Sequence, residues 1–148
     1  MNFFKTAKKS LGQNFLIDKN IIKKIAEIGK INKNDVVLEV GPGTGNLTEK
    51  ILQEKPKKLI VVEKDTILAN NLLKKYGKKI IIINNDILNI IEEELSNNQM
   101  IIFGNLPYNI STQILAKWIK NKNLNSVSKR FILMFQKEVA ERIIAKTN

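Results

Sequence analysis

The chain contains no cysteine and no histidine in 148 residues. Without cysteine there is no disulfide and no thiolate metal site. Without histidine the commonest acid–base group and metal ligand near neutral pH is gone. Ser-His hydrolysis and metal-dependent hydrolysis are therefore poor candidates, and no metal is expected. Arginine is scarce: Arg130 and Arg142 are the only two among 25 basic residues. No run of eighteen apolar residues occurs, so no membrane-spanning helix and no membrane partner are expected. The start, Met1-Asn2-Phe3-Phe4-Lys5, lacks the apolar stretch of a secretory signal, which points to a cytoplasmic protein.

What remains is lysine, asparagine and aliphatic residues. A hydrophobic share of 43% suits one domain with a real core, spanning residues 1–148 and without internal repeats. The net charge of +11 is that of a phosphate-binding protein. It gathers at Lys5, Lys8, Lys9, Lys19, Lys23, Lys24 and Lys30, and again at Lys117, Lys120, Lys122, Lys129 and Arg130. AT-rich coding, which favours Lys, Asn and Ile together, accounts for the same bias.

Residues 1–17 read as a polar, basic lead-in. Asp18 or Asn20 caps a helix whose Ile21, Ile22, Ile25, Ala26 and Ile28 share a face, with Gly29 at its end. Strands follow at 36–40, 58–62, 80–83, 100–104 and 130–135, alternating with helices. That alternation predicts a mostly parallel sheet covered by helices on both faces. After 105 a helix buries Ile114, Leu115, Trp118 and Ile119, Trp118 being read as core. Lys120 to Lys129 is the most loop-like segment.

Four strand ends carry the chemistry. Val36-Val37-Leu38-Glu39-Val40 runs straight into Gly41-Pro42-Gly43-Thr44-Gly45, and Asn46 or Thr48 can cap the next helix. Strand, glycine turn and helix let a backbone approach a nucleotide-like ligand closely. The G-x-G-x-G spacing departs from the dinucleotide fingerprint, and no Walker lysine follows. Glu63 lies eighteen residues after Gly45, near the offset at which a carboxylate takes two ribose hydroxyls. A solvated strand-end charge, or a charge at the start of the helix near Thr66, reads the same residue differently. Asp86, after the third strand, either accepts from an adenine amine or caps the turn that follows.

Asn105-Leu106-Pro107-Tyr108 ends the fourth strand. The Asn105 side-chain oxygen and the carbonyl before Pro107 can accept from an exocyclic amine, and the Tyr108 ring can stack on a base. Asn and Pro are also ordinary turn residues.

Taken in order, these motifs resemble those of the ribosomal RNA adenine dimethyltransferases. Lys8-Lys9-Ser10-Leu11-Gly12-Gln13-Asn14-Phe15-Leu16 resembles the family's N-terminal motif, and Glu39 to Thr48 its glycine motif. Val62-Glu63-Lys64-Asp65, Asn85-Asp86, Asn105-Leu106-Pro107-Tyr108 and Phe135 to Arg142 complete the series over essentially the whole chain. The resemblance implies a Rossmann-like, S-adenosylmethionine-dependent methyltransferase acting on ribosomal RNA. It implies cofactor contacts from Gln13, Asn14, Leu16, Gly41, Gly43, Glu63, Asp86 and Asn105. Asn105, Leu106, Pro107 and Tyr108 would hold the target base, which must leave its stack to be reached.

Leu106 favours the branch that dimethylates two adjacent adenosines near the 3′ end of 16S RNA during small-subunit assembly. The 23S-directed relatives usually carry isoleucine at that position. A monomer is expected. The family's sheet continues through further strands to a small helical domain, and a later motif supplies a second aromatic facing Tyr108. The chain is therefore expected to be a fragment ending before those parts. A non-catalytic RNA-binding or assembly factor is the competing class. A nicotinamide oxidoreductase is disfavoured by the glycine spacing and leaves Asn105 to Tyr108 unexplained.

Overall fold

The computed structural model describes residues 13–146. Lys5, Lys8, Lys9 and the Lys8–Gly12 part of the N-terminal motif lie outside them. In chain order the elements are α1 (Lys19–Ile28), β1 (Val36–Val40), α2 (Asn46–Gln53), β2 (Lys58–Val62) and α3 (Thr66–Tyr76). They continue with β3 (Ile81–Ile83), β4 (Met100–Asn105), α4 (Ser111–Lys120), α5 (Leu124–Val127), β5 (Ser128–Met134) and α6 (Lys137–Ile144). Short 3-10 turns at Ile87–Asn89 and Glu92–Glu94 link β3 to β4.

The five strands form one sheet in the order β3-β2-β1-β4-β5, every neighbouring pair parallel. β1 and β4 are adjacent in space though their paired residues are 64 apart in the chain, Val36 standing beside Met100. A parallel sheet covered on both faces needs apolar residues at successive positions, not alternate ones. Val36-Val37-Leu38-Glu39-Val40 is accordingly buried at all five positions.

Val37, Leu59, Val61, Ile101 and Phe103 pack against Ile22, Ile25 and Ala26 of α1, Leu47 and Ile51 of α2, and Leu72 of α3. On the opposite face Leu38, Val40, Ile60 and Ile102 pack against Ile114 and Trp118 of α4, with Ile87 and Ile90. Trp118 is core, its ring 5.1 Å from that of Phe131. The family-like expectation of a doubly covered, Rossmann-like sheet holds.

Local details differ from the sequence expectation. Asp18, not Asn20, caps α1, its carboxylate accepting from the Asn20 and Ile21 amides. Only Ile22, Ile25 and Ala26 of α1 are buried; Ile21 and Ile28 are exposed, because α1 meets one layer and its buried stripe is narrow. Gly29 ends α1 in a right-handed conformation; a Cβ there would stand 2.4 Å from the Phe103 ring. The α2 cap is Gly45 in the left-handed region, while Thr48 turns inward and Asn46 reaches back to the N-terminal segment. Leu115 is half-buried and Ile119 faces solvent. Residues 120–129 are no open loop: α5 occupies 124–127 and β5 begins at Ser128.

Candidate functional site

In an open parallel sheet the ligand crevice forms where strand order reverses, outside the carboxyl ends of the strands. Here β1 leads outward through β2 to β3, and β4 leads the other way to β5, so the crevice opens between the ends of β1 and β4. The glycine turn follows the first and Asn105 ends the second. Gly41 has φ +69°, and a Cβ there would lie 2.8 Å from the Asn105 carbonyl oxygen. Only glycine lets the two strand ends come this close.

A tight cleft of about 90 Å³ occupies that crevice. It collects seven of the residues singled out in the sequence: Gln13, Asn14, Gly41, Gly43, Glu63, Asn105 and Pro107. A smaller hollow of about 40 Å³ continues it, sharing Gly41, Glu63, Lys64, Pro107 and Ile110 and ending at Asp86 and Ile87.

Glu63 is held by the backbone around it. Its Oε1 accepts from the Asp65 amide at 2.8 Å and its Oε2 from the Gly43 amide at 3.2 Å. Burial pushes this carboxyl above its ordinary value, the amide bonds opposing it. Each oxygen keeps a further lone pair for a hydroxyl donor. The cap of α3 is the neighbouring Asp65, which accepts from the Ile67 and Leu68 amides and from Gln13 Nε2.

Of the two roles the sequence left open for Asp86, the cap is formed, and Lys64 shares the carboxylate. Its Oδ1 caps the following turn through the Leu88 amide at 3.0 Å, and its Oδ2 accepts from Lys64 Nζ at 2.7 Å. Burial raises this carboxyl, but the Lys64 bond, the Leu88 amide and the charges of Lys64 and Lys117 together leave it below the ordinary value.

The N-terminal segment is strapped across the crevice by asparagines. Asn46 Nδ2 donates to the Leu16 carbonyl and Asn105 Nδ2 to the Asn14 carbonyl, each at 2.8 Å. Asn14 Nδ2 in turn donates to the Tyr108 hydroxyl. Tyr108 is 39% exposed, leaving its ring accessible. Leu106 is 1% exposed and faces the core, so it anchors the turn and does not line the cleft. Leu16 likewise packs on the core and does not line the cleft; its carbonyl accepts from Asn46.

Behind the cleft sits Glu39, 1% exposed, accepting from Thr48 Oγ1 at 2.7 Å. Burial, helped by the nearby Glu63 charge and opposed by Thr48, pushes its carboxyl up to about 8.

Sequence reasoning missed Phe15, Lys64, Leu68, Asn109 and Ile110, which also line the cleft. Phe15, Lys64 and Asn109 sit inside or beside the motifs and were within reach of a wider reading. Leu68 carried no signal beyond helix periodicity. Among the described residues no group of three or more acidic side chains is placed to hold a metal ion. No helix among them is long and apolar enough to cross a membrane.

Residues 4–148 match the family model described as ribosomal RNA adenine dimethylase. The chain belongs to that family. It is 57% identical over 145 residues to the ribosomal RNA small subunit methyltransferase A of Pelagibacter ubique (strain HTCC1062), covering 98% of this chain and 55% of the relative. The chain thus spans about half the length of the curated relatives it matches. The crystal structure of a dimethyladenosine transferase from Plasmodium falciparum superposes with a TM-score of 0.75 at 31% identity, over 90% of this chain and 47% of that one. The 23S rRNA methyltransferase ErmE gives a TM-score of 0.73 at 28% identity, over 86% of this chain and 50% of that one.

Proposed function

We propose that this chain carries the cofactor cleft and target-base motif of an adenine-N6 methyltransferase using S-adenosylmethionine, acting on small-subunit ribosomal RNA. The 16S adenosines near the 3′ end are the proposed target. The observation that carries the reading is the meeting of Asn105 and Gly41: the amine-accepting motif ends where the glycine turn opens the cofactor cleft.

The residues present fit the cofactor. Glu63 offers carboxylate oxygens to a ribose diol, and Asp86 offers acceptors to an adenine amine at the far end of the same groove. Gly41 and Gly43 line the groove at the proposed methionine end, together with Gln13 and Asn14 of the N-terminal segment. When bound, S-adenosylmethionine supplies a methyl group on a sulfonium, electrophilic without further activation.

The chain's task is then orientation. The Asn105 side-chain oxygen and the Leu106 carbonyl accept hydrogen bonds from the two N6–H groups, which aims the nitrogen lone pair into the cleft; once the methyl group is on N6, one of those protons is lost to water. The Tyr108 ring covers one face of the flipped base. Fixing two reactants in attack geometry is worth several kcal/mol of barrier, of order 7–11 in the best intramolecular cases. No general base of lowered pKa is needed, which fits a chain without histidine.

Calorimetric titration with S-adenosylmethionine, with NADH as control and circular dichroism to confirm folding, tests the cofactor. Selective binding of S-adenosylmethionine is expected. A folded chain that prefers NADH overturns the reading.

A further inference from the structure

Behind the Asp86 end of the groove lies a polar cluster in an otherwise apolar layer. Lys117, on α4, sends its ammonium to the Ile87 carbonyl at 3.0 Å, the Ile90 carbonyl at 2.5 Å and Glu92 Oε1 at 2.6 Å. An ammonium has three protons, so all are committed. The same Glu92 oxygen accepts from Trp118 Nε1 at 2.7 Å. The Glu92 side chain is 3% exposed and that of Lys117 26%.

The partners explain the expense of burying these charges. Ile87 lines the hollow that ends at Asp86, and the Lys117 bond lands on its own carbonyl. The segment 86–92 contains only 3-10 turns, whose short hydrogen-bonded runs do not fix a loop by themselves. α4 starts at Ser111, three residues after Tyr108; the Ile110 amide before it donates to the Pro107 carbonyl of the motif, and the Ile110 carbonyl accepts from the Ile114 amide. One side chain therefore joins the loop at the adenine end of the groove to the helix that continues the base-holding motif. A hydrophobic residue at 117 would fill space but make none of these three bonds.

We propose that Lys117, through Glu92 and the Ile87 and Ile90 carbonyls, is a positioning residue for the cofactor's adenine. It sets the 86–92 loop against α4, and the inference rests on the cofactor reading above. Trp118 makes the coupling observable, because it is the chain's single tryptophan and hydrogen-bonds the same Glu92 oxygen. Adenine binding that tightens the loop alters the surroundings of that indole.

The test measures binding of S-adenosylmethionine and of 5′-methylthioadenosine, which keeps the nucleoside and lacks the amino-acid end. Wild type, Lys117→Met and Lys117→Arg are compared at a temperature where circular dichroism shows each folded. Lys117→Met is expected to weaken both ligands by the same factor, about tenfold, the scale of one charge-assisted hydrogen bond. Lys117→Arg recovers most of the affinity. Addition of 5′-methylthioadenosine shifts Trp118 emission in the wild type and not in Lys117→Met. A folded Lys117→Met chain with wild-type dissociation constants reduces Lys117 to a structural role and overturns the inference alone. Wild type that binds neither ligand overturns the cofactor reading and this inference with it.

Discussion

Replacing Glu39 by glutamine should change how stability depends on pH. The carboxyl is buried beneath the glycine turn and is pushed from 4.5 up to about 8. Between those two values the folded chain keeps the Glu39 proton and the unfolded chain gives it up. Stability follows the difference in bound protons, so it falls as pH rises through that window and levels off above about 8. The contribution is fully present below 4.5, and its loss approaches about 1.4 kcal/mol per pH unit, or roughly 5 kcal/mol in all. For a domain whose total stability is about 5–15 kcal/mol that is a large share.

The absence of histidine makes the measurement clean, since no imidazole titrates between pH 5 and 8. Asp35 and Asp86, both held below their ordinary values, lose their contributions only at more acid pH. Glu63 is raised like Glu39, but it is common to both chains and largely cancels in the difference. Glutamine is near-isosteric and stays neutral, so Glu39→Gln should match the wild type within about 1 kcal/mol at pH 5. At pH 8.5 it should be more stable by about 3–5 kcal/mol. Urea unfolding at a series of pH values reads this directly. A difference between the two chains that does not change with pH refutes the assignment of a protonated Glu39.

Gly41→Ala should cost about 1–3 kcal/mol from its positive φ alone, plus the collision with the Asn105 carbonyl. Gly77→Ala is the control, with φ +52° and open space at the Cβ; equal losses in urea unfolding would remove the close-approach argument. Glu63→Ala should weaken S-adenosylmethionine binding by more than about tenfold, since two charge-assisted bonds to the ribose are lost; calorimetry at wild-type affinity would refute the ribose role. Asn105→Ala should abolish methyl transfer to RNA while largely preserving the fold, as read by transfer of labelled methyl and by circular dichroism. Tyr108→Phe, which loses only the hydroxyl that accepts from Asn14, should retain far more transfer than Tyr108→Ala, and equal losses would show that the ring does not hold the base.

The motif residues were legible because each lies within a few positions of a strand end, where local sequence states both the turn and the chemistry. Gly41 and Glu63 follow their strands directly and Asn105 ends its own, and a parallel sheet must bring those ends to one edge. The strand spans needed only apolar runs and breaks between them.

Burial was less legible. Ile119 and Ile28 continue an apolar pattern yet face solvent, because periodicity says which residues share a face and not how wide the opposing layer is. Thr48 could cap a helix by its position, but Glu39 needed a partner and took it inward. The sequence by itself determined the strand–turn–helix order, the glycine turn and the candidate ligands at four strand ends. Only the tertiary structure decided that Asp86 is shared between a turn and Lys64, and that Glu39 is sealed away from water. It also decided that Lys117 ties α4 to the loop beside the groove. Those outcomes depend on contacts across 9 to 30 residues of chain, where hydrogen bonding and desolvation are set by which elements happen to pack together.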